Sequence, residues 1–282
     1  MIDLIDVSYT YPGADQRALT EVSLRVPPGT LAGILGASGS GRTTLARVVA
    51  GFLPHADGGD LTGTATVAGH DLTAGTLLEA VSRVGLVTQN PFNQISGARY
   101  TVRGEIAFGL ENIGTPRQEM VARVDEVADL LQITGLLDRS PYELSGGQQQ
   151  LVAIASMIVL RTPVLVMDEP TAHLDPAGTR LVFEVLSRLR ATGTTIVIVE
   201  DQLELLHQAA DQLHVLVGGA IVASGDPSTL LADPRMPAWG VGTTRYTRAA
   251  RLARAEGLLP HDAPLPVSLA QARATFAPGR SA

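Results

Sequence analysis

The sequence contains no cysteine and no lysine, and all 21 of its basic residues are arginine. Without cysteine, disulfide bonds and thiolate chemistry are excluded, which is consistent with a reducing compartment. No hydrophobic run approaches the roughly 18 apolar residues of a membrane-spanning helix. If the protein functions at a membrane, another subunit must hold it there. The first residues include acids and no basic segment, which argues against a secretory signal and favours a cytosolic location.

The rest of the composition is that of a folded protein. In 282 residues, 45% are hydrophobic, which is enough for one large α/β domain with an appendage or for two small domains. With a formal net charge of −7, the surface as a whole would repel nucleic acid and anionic membranes.

A glycine-rich loop at residues 36–44 lies between an apolar run and a helix-like pattern. In such a loop, backbone N–H groups face a phosphate at the N-terminus of the helix. The residues expected to bind the phosphates are Gly36, Ser38, Gly39, Gly41, Arg42, Thr43 and Thr44. The pattern G-x-x-x-x-G-K-[ST] is met except at Arg42, where a lysine would reach the β- and γ-phosphates. The absence of lysine leaves compositional drift as one explanation, beside a change in the chemistry of the site.

Two acids follow the apolar run at residues 164–167. A strand there would bring Asp168 to the edge of the sheet beside the loop, where it could hold Mg²⁺ together with the Thr43 hydroxyl. Glu169 could then polarise the attacking water. The alternative is a strand that ends in acids facing solvent.

A second glycine-containing segment precedes the helical pattern at residues 151–155. It consists of Ser145, Gly146, Gly147 and Gln148, and it presents a further set of backbone donors to an anion. Combined with the phosphate loop and the acidic pair, this segment resembles the signature motif of ABC-type ATPases, and the resemblance covers about residues 2–222. It implies two nucleotide-binding domains that sandwich two ATP molecules, each site pairing the phosphate loop of one protomer with the signature of the other.

Individual residues also fit this family. Tyr11 resembles the aromatic residue that stacks on adenine, although an ordinary tyrosine at a strand end is the alternative. Gln89 resembles the glutamine that binds near Mg²⁺ and reports γ-phosphate occupancy to a membrane partner. The loop 171–175 resembles the one that crosses the dimer interface through its aspartate, here Asp175.

Residues 89–94, 101–102 and 106–112, with the tail from 233 to 270, are similar to the ATPases of energy-coupling factor transporters, which import vitamins and transition-metal ions. Another ABC importer or an exporter is the alternative. The predicted function is therefore an ATPase subunit that uses ATP and Mg²⁺ to energise such an importer. Its implied partners are a second, non-identical ABC ATPase, a transmembrane coupling subunit and a substrate-binding membrane subunit, with no nucleic acid, and its implied location is the cytoplasmic face of the membrane.

The sequence departs from the family pattern at three positions. Besides Arg42, Asp201 stands where a histidine usually contacts the γ-phosphate, and a carboxylate there would repel that phosphate. Leu151 replaces a common arginine. Because Arg42 and Asp201 belong to this chain's own site while the signature is intact, we expect a heterodimer whose competent site lies on the partner. The alternatives are a working Arg42, a regulatory pseudo-ATPase, and a soluble ABC clamp on ribosomes or DNA; the acidic charge and the absence of coiled-coil heptads argue against the clamp.

Strands alternating with helices predict an α/β fold with a phosphate-loop NTPase (RecA-like) core and a mostly parallel sheet. An antiparallel β-layer is expected up to about residue 30, a loop at 54–63, and an inserted helical subdomain at about 92–160 in which Met120, Val121, Val124, Val127, Ala128 and Leu131 share one face. The nucleotide-binding domain would span 1–225 and a C-terminal extension 226–282. In that extension, Arg245, Arg248, Arg251 and Arg254 predict a helix face that is solvated or that contacts a partner or lipid headgroups.

Overall fold

The computed structural model describes residues 1–277 and contains two β-sheets. The strands are β1 Ile2–Thr10, β2 Leu19–Val26, β3 Leu31–Leu35, β4 Asp60–Val67, β5 His70–Asp71, β6 Val84–Val87, β7 Val164–Asp168, β8 Thr195–Val199, β9 Gln212–Val217 and β10 Ala220–Gly225. The first sheet has the order β2-β1-β4-β5 and is antiparallel. The second has the order β10-β9-β3-β8-β7-β6 and is parallel except at β10. The predicted α/β fold with an antiparallel N-terminal layer is confirmed.

Helices cover both faces of the second sheet. They are α1 Arg42–Val49, α2 Leu77–Val81, α3 Val102–Asn112, α4 Arg117–Leu130, α5 Gly146–Ile158, α6 Pro176–Ala191, α7 Leu203–Ala209, α8 Pro227–Ala232, α9 Arg245–Ala255 and α10 Leu269–Phe276. Alternate residues of its strands enter two apolar clusters: Val164 and Val166 pack with α1 and the first sheet, whereas Leu165 and Met167 pack with the helical side. Burial on both faces explains why these strands are continuously apolar in the sequence. Among residues 1–277, no helix has both the length and the hydropathy needed to cross a bilayer.

Helices α3, α4 and α5 occupy the stretch between β6 and β7, where the sequence predicts an inserted helical segment. On α4, Val124, Val127 and Ala128 are buried as expected and Met120 packs partly buried against the same cluster, but Val121 is 45% exposed, so it does not share the buried face. The limits of the domains stay a prediction.

One predicted loop is partly a strand. Residues 60–63 extend β4 because they pair with β1, for example Leu61 with Tyr9. A β-bulge interrupts this pairing between Ile5 and Ser8, and a Cβ at Gly63 would lie 2.5 Å from the carbonyl oxygen of Asp6. Pairing partners distant in sequence thus override the local turn-like composition of this stretch.

The segment after β10 packs on the central sheet. Leu230, Leu231, Met236, Val241 and Val267 are buried in the same apolar cluster as the helical side of that sheet.

Helix α9 confirms the helix predicted from the arginine spacing. Arg245 donates from its backbone N and from Nε to Glu204 Oε1 at 3.1 Å each, and Arg251 donates to the carbonyl oxygen of Asp233. Arg254 donates to the carbonyl oxygen of Ala263, whereas Arg248 is exposed. Three of the four arginines on this face therefore form hydrogen bonds with other residues of the chain.

A buried histidine on β9 gives the fold a specific pH dependence. Burial lowers the pKa of His214 to about 4, so its imidazole stays neutral in the native state while the unfolded chain takes up a proton near pH 6.5. Native stability is therefore lost as pH falls from about 6.5 towards 4. Relative to His214→Gln, we expect the wild-type free energy of unfolding to fall by about 2 kcal/mol more between pH 7 and pH 5.

Urea unfolding at the two pH values measures this difference. His173→Gln, which removes an exposed histidine, is the matched control and should follow the wild type. Parallel pH dependence of the wild type and His214→Gln would contradict the prediction.

Candidate nucleotide-binding site

The loop between β3 and α1 has the geometry of an anion cradle. Gly39 and Gly41 have φ angles of 78° and 102°, and Gly41 caps α1 without a side-chain hydrogen bond. A Cβ at Gly36 would lie 2.4 Å from the carbonyl oxygen of Leu216 and 2.5 Å from Ser40 Oγ, so only glycine fits there. The N–H groups at the start of α1 are therefore left for a ligand with negative charge, and this fits the phosphates of a nucleotide.

A cavity of about 640 Å³ opens in front of this loop. Its lining includes Ser38, Gly39, Gly41, Arg42, Thr43, Thr44, Gln89, Glu169 and Asp201, so the structure gathers most of the predicted site residues around one space. Residues that the sequence analysis missed also line it, namely Gln16, Arg17, Ala18, Gly218 and Gly219. Backbone hydrogen bonds bring them there: Thr20 N donates to Gly219 O and Gly219 N donates to Ser40 O. The sequence marks the dipeptide Gly218-Gly219 as a turn, whereas no motif in the sequence marks residues 16–18.

Arg42 forms the centre of an ion-pair network. Its Nη1 donates to Asp201 Oδ1 at 2.6 Å and its Nη2 donates to Glu169 Oε1 at 2.9 Å, with only 8% of the Arg42 side chain exposed. The two departures from the family pattern are therefore in direct contact. The sequence analysis places both residues in one site, and the structure adds that their side chains are paired with each other.

Glu169 has both carboxylate oxygens engaged. Its Oε1 accepts from Arg42, and its Oε2 accepts from Gln89 Nε2 at 2.7 Å. Burial raises the pKa of Glu169, the Arg42 guanidinium opposes that rise, and the neighbouring Asp201 and Asp168 add to it. The predicted general base is thus held by two donors at the edge of the sheet, directly after β7.

Asp168 ends β7 as a buried side chain. Burial raises the pKa of its carboxyl group, while the Thr43 hydroxyl and the Arg42 guanidinium act against the rise. Within residues 1–277, its Oδ1 is a buried oxygen with no hydrogen-bond partner. An unsatisfied carboxylate oxygen beside a threonine hydroxyl fits a hard divalent cation. In the same described range, no three histidine, aspartate or glutamate side chains form a cation cage, so Mg²⁺ at Thr43, Asp168 and Gln89 would need phosphate oxygens as further ligands.

Tyr11 lies beside the start of α1. Its hydroxyl is 3.1 Å from Thr44 Oγ1, and its ring packs edge-on against Tyr9 with centroids 4.9 Å apart. Tyr11 is not among the residues that line the cavity. Its stacking on adenine stays a prediction.

The signature segment does not line this cavity either. Ser145 caps α5, with its hydroxyl accepting from Gln148 N, while Ser145 N donates to Gln148 Oε1. Ser145 and Gly146 are exposed and Gly147 and Gln148 are half-buried. The chain thus presents this helix N-terminus outward, apart from its own phosphate loop.

Glu200, which the sequence analysis missed, supports the position of Asp201. Its Oε2 accepts from the Thr171 hydroxyl at 2.6 Å, and its Oε1 accepts from Asp201 N at 2.9 Å. Burial raises the pKa of this carboxyl group. Asp175, predicted to cross a dimer interface, caps α6 by accepting from Gly178 N at 2.7 Å.

Comparison with known proteins identifies what this arrangement is similar to. A family model described as ABC transporter matches residues 19–172. The energy-coupling factor transporter ATP-binding protein EcfA1 of Lacticaseibacillus paracasei is 41% identical over 227 residues, which are 80% of this chain and 79% of that protein. A putative ABC transporter ATP-binding protein of Streptomyces coelicolor is 39% identical over 282 residues, which are 99% of this chain and 47% of the relative. The chain spans less than half the length of this and several other relatives.

Solved structures give the same result for the fold. The structure of cbiO1 from Clostridium perfringens, described as part of the ABC transporter complex cbiONQ, has a TM-score of 0.73 at 26% identity and covers 90% of this chain and 98% of that one. The dimeric cassette MJ0796, described as bound to ADP and Pi in a post-hydrolysis state, has a TM-score of 0.70 at 24% identity. It covers 80% of this chain and 99% of that one, and it supports the fold alone.

Proposed function

This chain belongs to the ABC transporter family of ATPases, and from that premise we propose that it energises an importer of the energy-coupling factor type. The similarity to the Lacticaseibacillus protein supports this subfamily. The chemical class of the imported substrate, a vitamin or a transition-metal ion, follows from the resemblance and not from any residue of the site.

ATP would lie in the cradle of residues 36–44. The backbone N–H groups at the start of α1 would bind its phosphates, with Ser38 and Thr44 beside them. Mg²⁺ held at Thr43 and Asp168, with Gln89 nearby, would neutralise charge on the β- and γ-phosphates. The fit rests on the uncapped helix start and on the unsatisfied buried oxygen of Asp168.

We further propose that this chain works in a heterodimer whose productive site lies on the partner ATPase. The observation that carries this proposal is the contact of Arg42 with both Glu169 and Asp201. Both carboxylate oxygens of Glu169 already accept hydrogen bonds, from Arg42 and from Gln89, so an attacking water would have to displace one of these donors. The signature at Ser145, Gly146, Gly147 and Gln148 keeps its helix-capping geometry and faces outward, ready to complete a site on another subunit.

An exposed aromatic surface near Gln89 supports a membrane partner. Phe92, Tyr100 and Tyr142 are 63%, 95% and 64% exposed. A Cβ on Gly97 would lie 2.7 Å from the Tyr142 hydroxyl oxygen, so the loop after Gln89 and the segment before the signature are neighbours. Exposed aromatic residues of this kind mark interaction surfaces. We propose that a transmembrane coupling subunit docks here, together with a substrate-binding membrane subunit, at the cytoplasmic face of the membrane.

Two substitutions in the membrane complex test the proposal. With a tag on this chain, the complex is isolated from detergent-solubilised membranes and its ATP turnover is measured. Glu169→Gln should leave turnover within about twofold of wild type, whereas the same change of the partner's catalytic glutamate should remove about 99% of it, since a general base contributes about 10²-fold or more.

A regulatory pseudo-ATPase is the second candidate, because a base held by Arg42 also suits a chain that only binds nucleotide. It predicts the same loss of turnover with the partner's substitution but no contribution from the signature of this chain, so a substitution at Gly146 would leave turnover of the complex unchanged. Loss of turnover with Glu169→Gln alone would contradict the proposed asymmetry, and a tagged chain that brings no integral membrane protein with it would contradict the transport role.

A further inference from the structure

We propose that Arg42 and Asp201 act as one pair that makes this chain's own site bind a nucleoside diphosphate in preference to a nucleoside triphosphate. The inference rests on the proposed function only in assuming that the cradle of residues 36–44 takes a nucleotide. It adds the number of phosphate groups on the nucleotide that this site prefers.

The first argument is that the cation of the phosphate loop is already neutralised. The Arg42 guanidinium makes hydrogen bonds of 2.6 Å and 2.9 Å to Asp201 and Glu169, and the side chain is 8% exposed. These short charge-assisted bonds hold the nearly buried, planar guanidinium in one orientation, with Asp201 on the solvent side at 65% side-chain exposure. A third phosphate would have to displace one of these carboxylates before it could use the charge of Arg42.

The second argument concerns the charge around the third phosphate position. The Arg42 guanidinium pairs with Glu169 and Asp201 and also acts on the nearby Asp168, so this set carries a net charge of −2 when the three carboxylates are ionised and no Mg²⁺ is bound. With the histidine that the family usually has at position 201, the set would carry one negative charge less. Arg17 also lines the cavity; like Asp201 it is exposed, so water screens the charges of both side chains.

The third argument is that the backbone N–H groups that would bind the first two phosphates do not depend on this pair. The positive φ angles at Gly39 and Gly41 and the uncapped start of α1 belong to the backbone of the loop. Replacing Asp201 leaves them in place. The site therefore keeps its affinity for a diphosphate and selectively disfavours the additional negative phosphate.

Binding of two nucleotides to the purified full chain tests the inference. Dissociation constants are measured by calorimetry, with Mg²⁺, for ADP and for the non-hydrolysable triphosphate analogue adenylyl imidodiphosphate. We expect wild type to bind ADP at least as tightly as the analogue. Asp201→Asn should tighten binding of the analogue by about tenfold, the order expected for removing one charge near a protein surface, and leave ADP within twofold.

Asp125→Asn is the matched control. It breaks an arginine–aspartate pair of the same 2.6 Å length, between Arg103 and Asp125 on the helical segment. It should change neither dissociation constant. A purely structural role of Asp201 would weaken both nucleotides together, so the ratio of the two constants separates structure from selectivity.

A double variant provides the reverse test. Arg42→Lys with Asp201→His restores the common family pair, and we expect it to bind the analogue more tightly than ADP. The inference is overturned if wild type binds the analogue more tightly than ADP, or if Asp201→Asn shifts both constants equally. Because these measurements use the isolated chain, they are independent of whether a membrane complex or an asymmetric dimer exists.

Discussion

Replacing Gly146 with glutamate should lower ATP turnover of the assembled complex at least a hundredfold while this chain stays folded. A Cβ at Gly146 has no atom within 4 Å, and the residue is exposed at the first position of α5. A glutamate there suits a helix N-terminus, so the fold should tolerate it. In the assembled complex, however, its carboxylate would face the phosphates bound to the partner subunit and would place a like charge in front of the helix N–H donors.

Turnover of the complex and thermal melting of the isolated chain measure the two halves of this prediction. Gly135→Glu is the matched control, because Gly135 is also exposed and also has open space around its Cβ position. It should preserve turnover, and both variants should melt within a few degrees of wild type. Full turnover with Gly146→Glu would show that the signature of this chain does not complete a partner site.

Replacing Gly36 with alanine should remove nucleotide binding at this chain's own site and lower the free energy of unfolding by about 2 kcal/mol or more, the size of an overpacking penalty. The new methyl group would lie 2.4 Å from the carbonyl oxygen of Leu216. That oxygen belongs to the backbone of β9 and cannot turn away as a side chain would. The loop must move instead, and the cradle loses its shape.

Gly39→Ala separates this clash from ordinary backbone strain. Gly39 has a positive φ of 78° but no atom within 4 Å of a Cβ. Alanine there should cost only about 1 kcal/mol, the penalty of the left-handed conformation. Urea unfolding and ADP calorimetry on both variants check the prediction, and equal losses at the two positions would refute the steric argument.

The sequence was sufficient to predict the loop, the acidic pair and the signature, because each is a contiguous motif whose spacing carries its chemistry. It was also sufficient to predict the parallel sheet, since strands buried on both faces, such as β7, are apolar at every position. The unusual residues Arg42 and Asp201 were also visible in the sequence, because the family usually has a lysine and a histidine at these positions.

What the sequence could not predict are contacts between distant residues. Arg42 and Asp201 are separated by 159 positions, and only the fold shows that their charges cancel. Gln89 and Glu169 likewise meet across 80 positions. Glu200 carried no motif because its role is to hold the backbone of Asp201 and the hydroxyl of Thr171. The exposure of Val121 depends on where α4 meets its neighbours, which periodicity does not determine.

The packing of the segment after β10 has a consequence for cooperativity. Met236, Val241 and Val267 lie in the same apolar cluster as Leu165 and Met167 of the strand that carries Asp168. We therefore expect helix α8 and the residues up to Val267 to unfold together with the second sheet, in one transition. Loss of the segment after residue 225 would expose apolar side chains of this cluster to water, so we expect a chain that ends there to be less stable than the full chain.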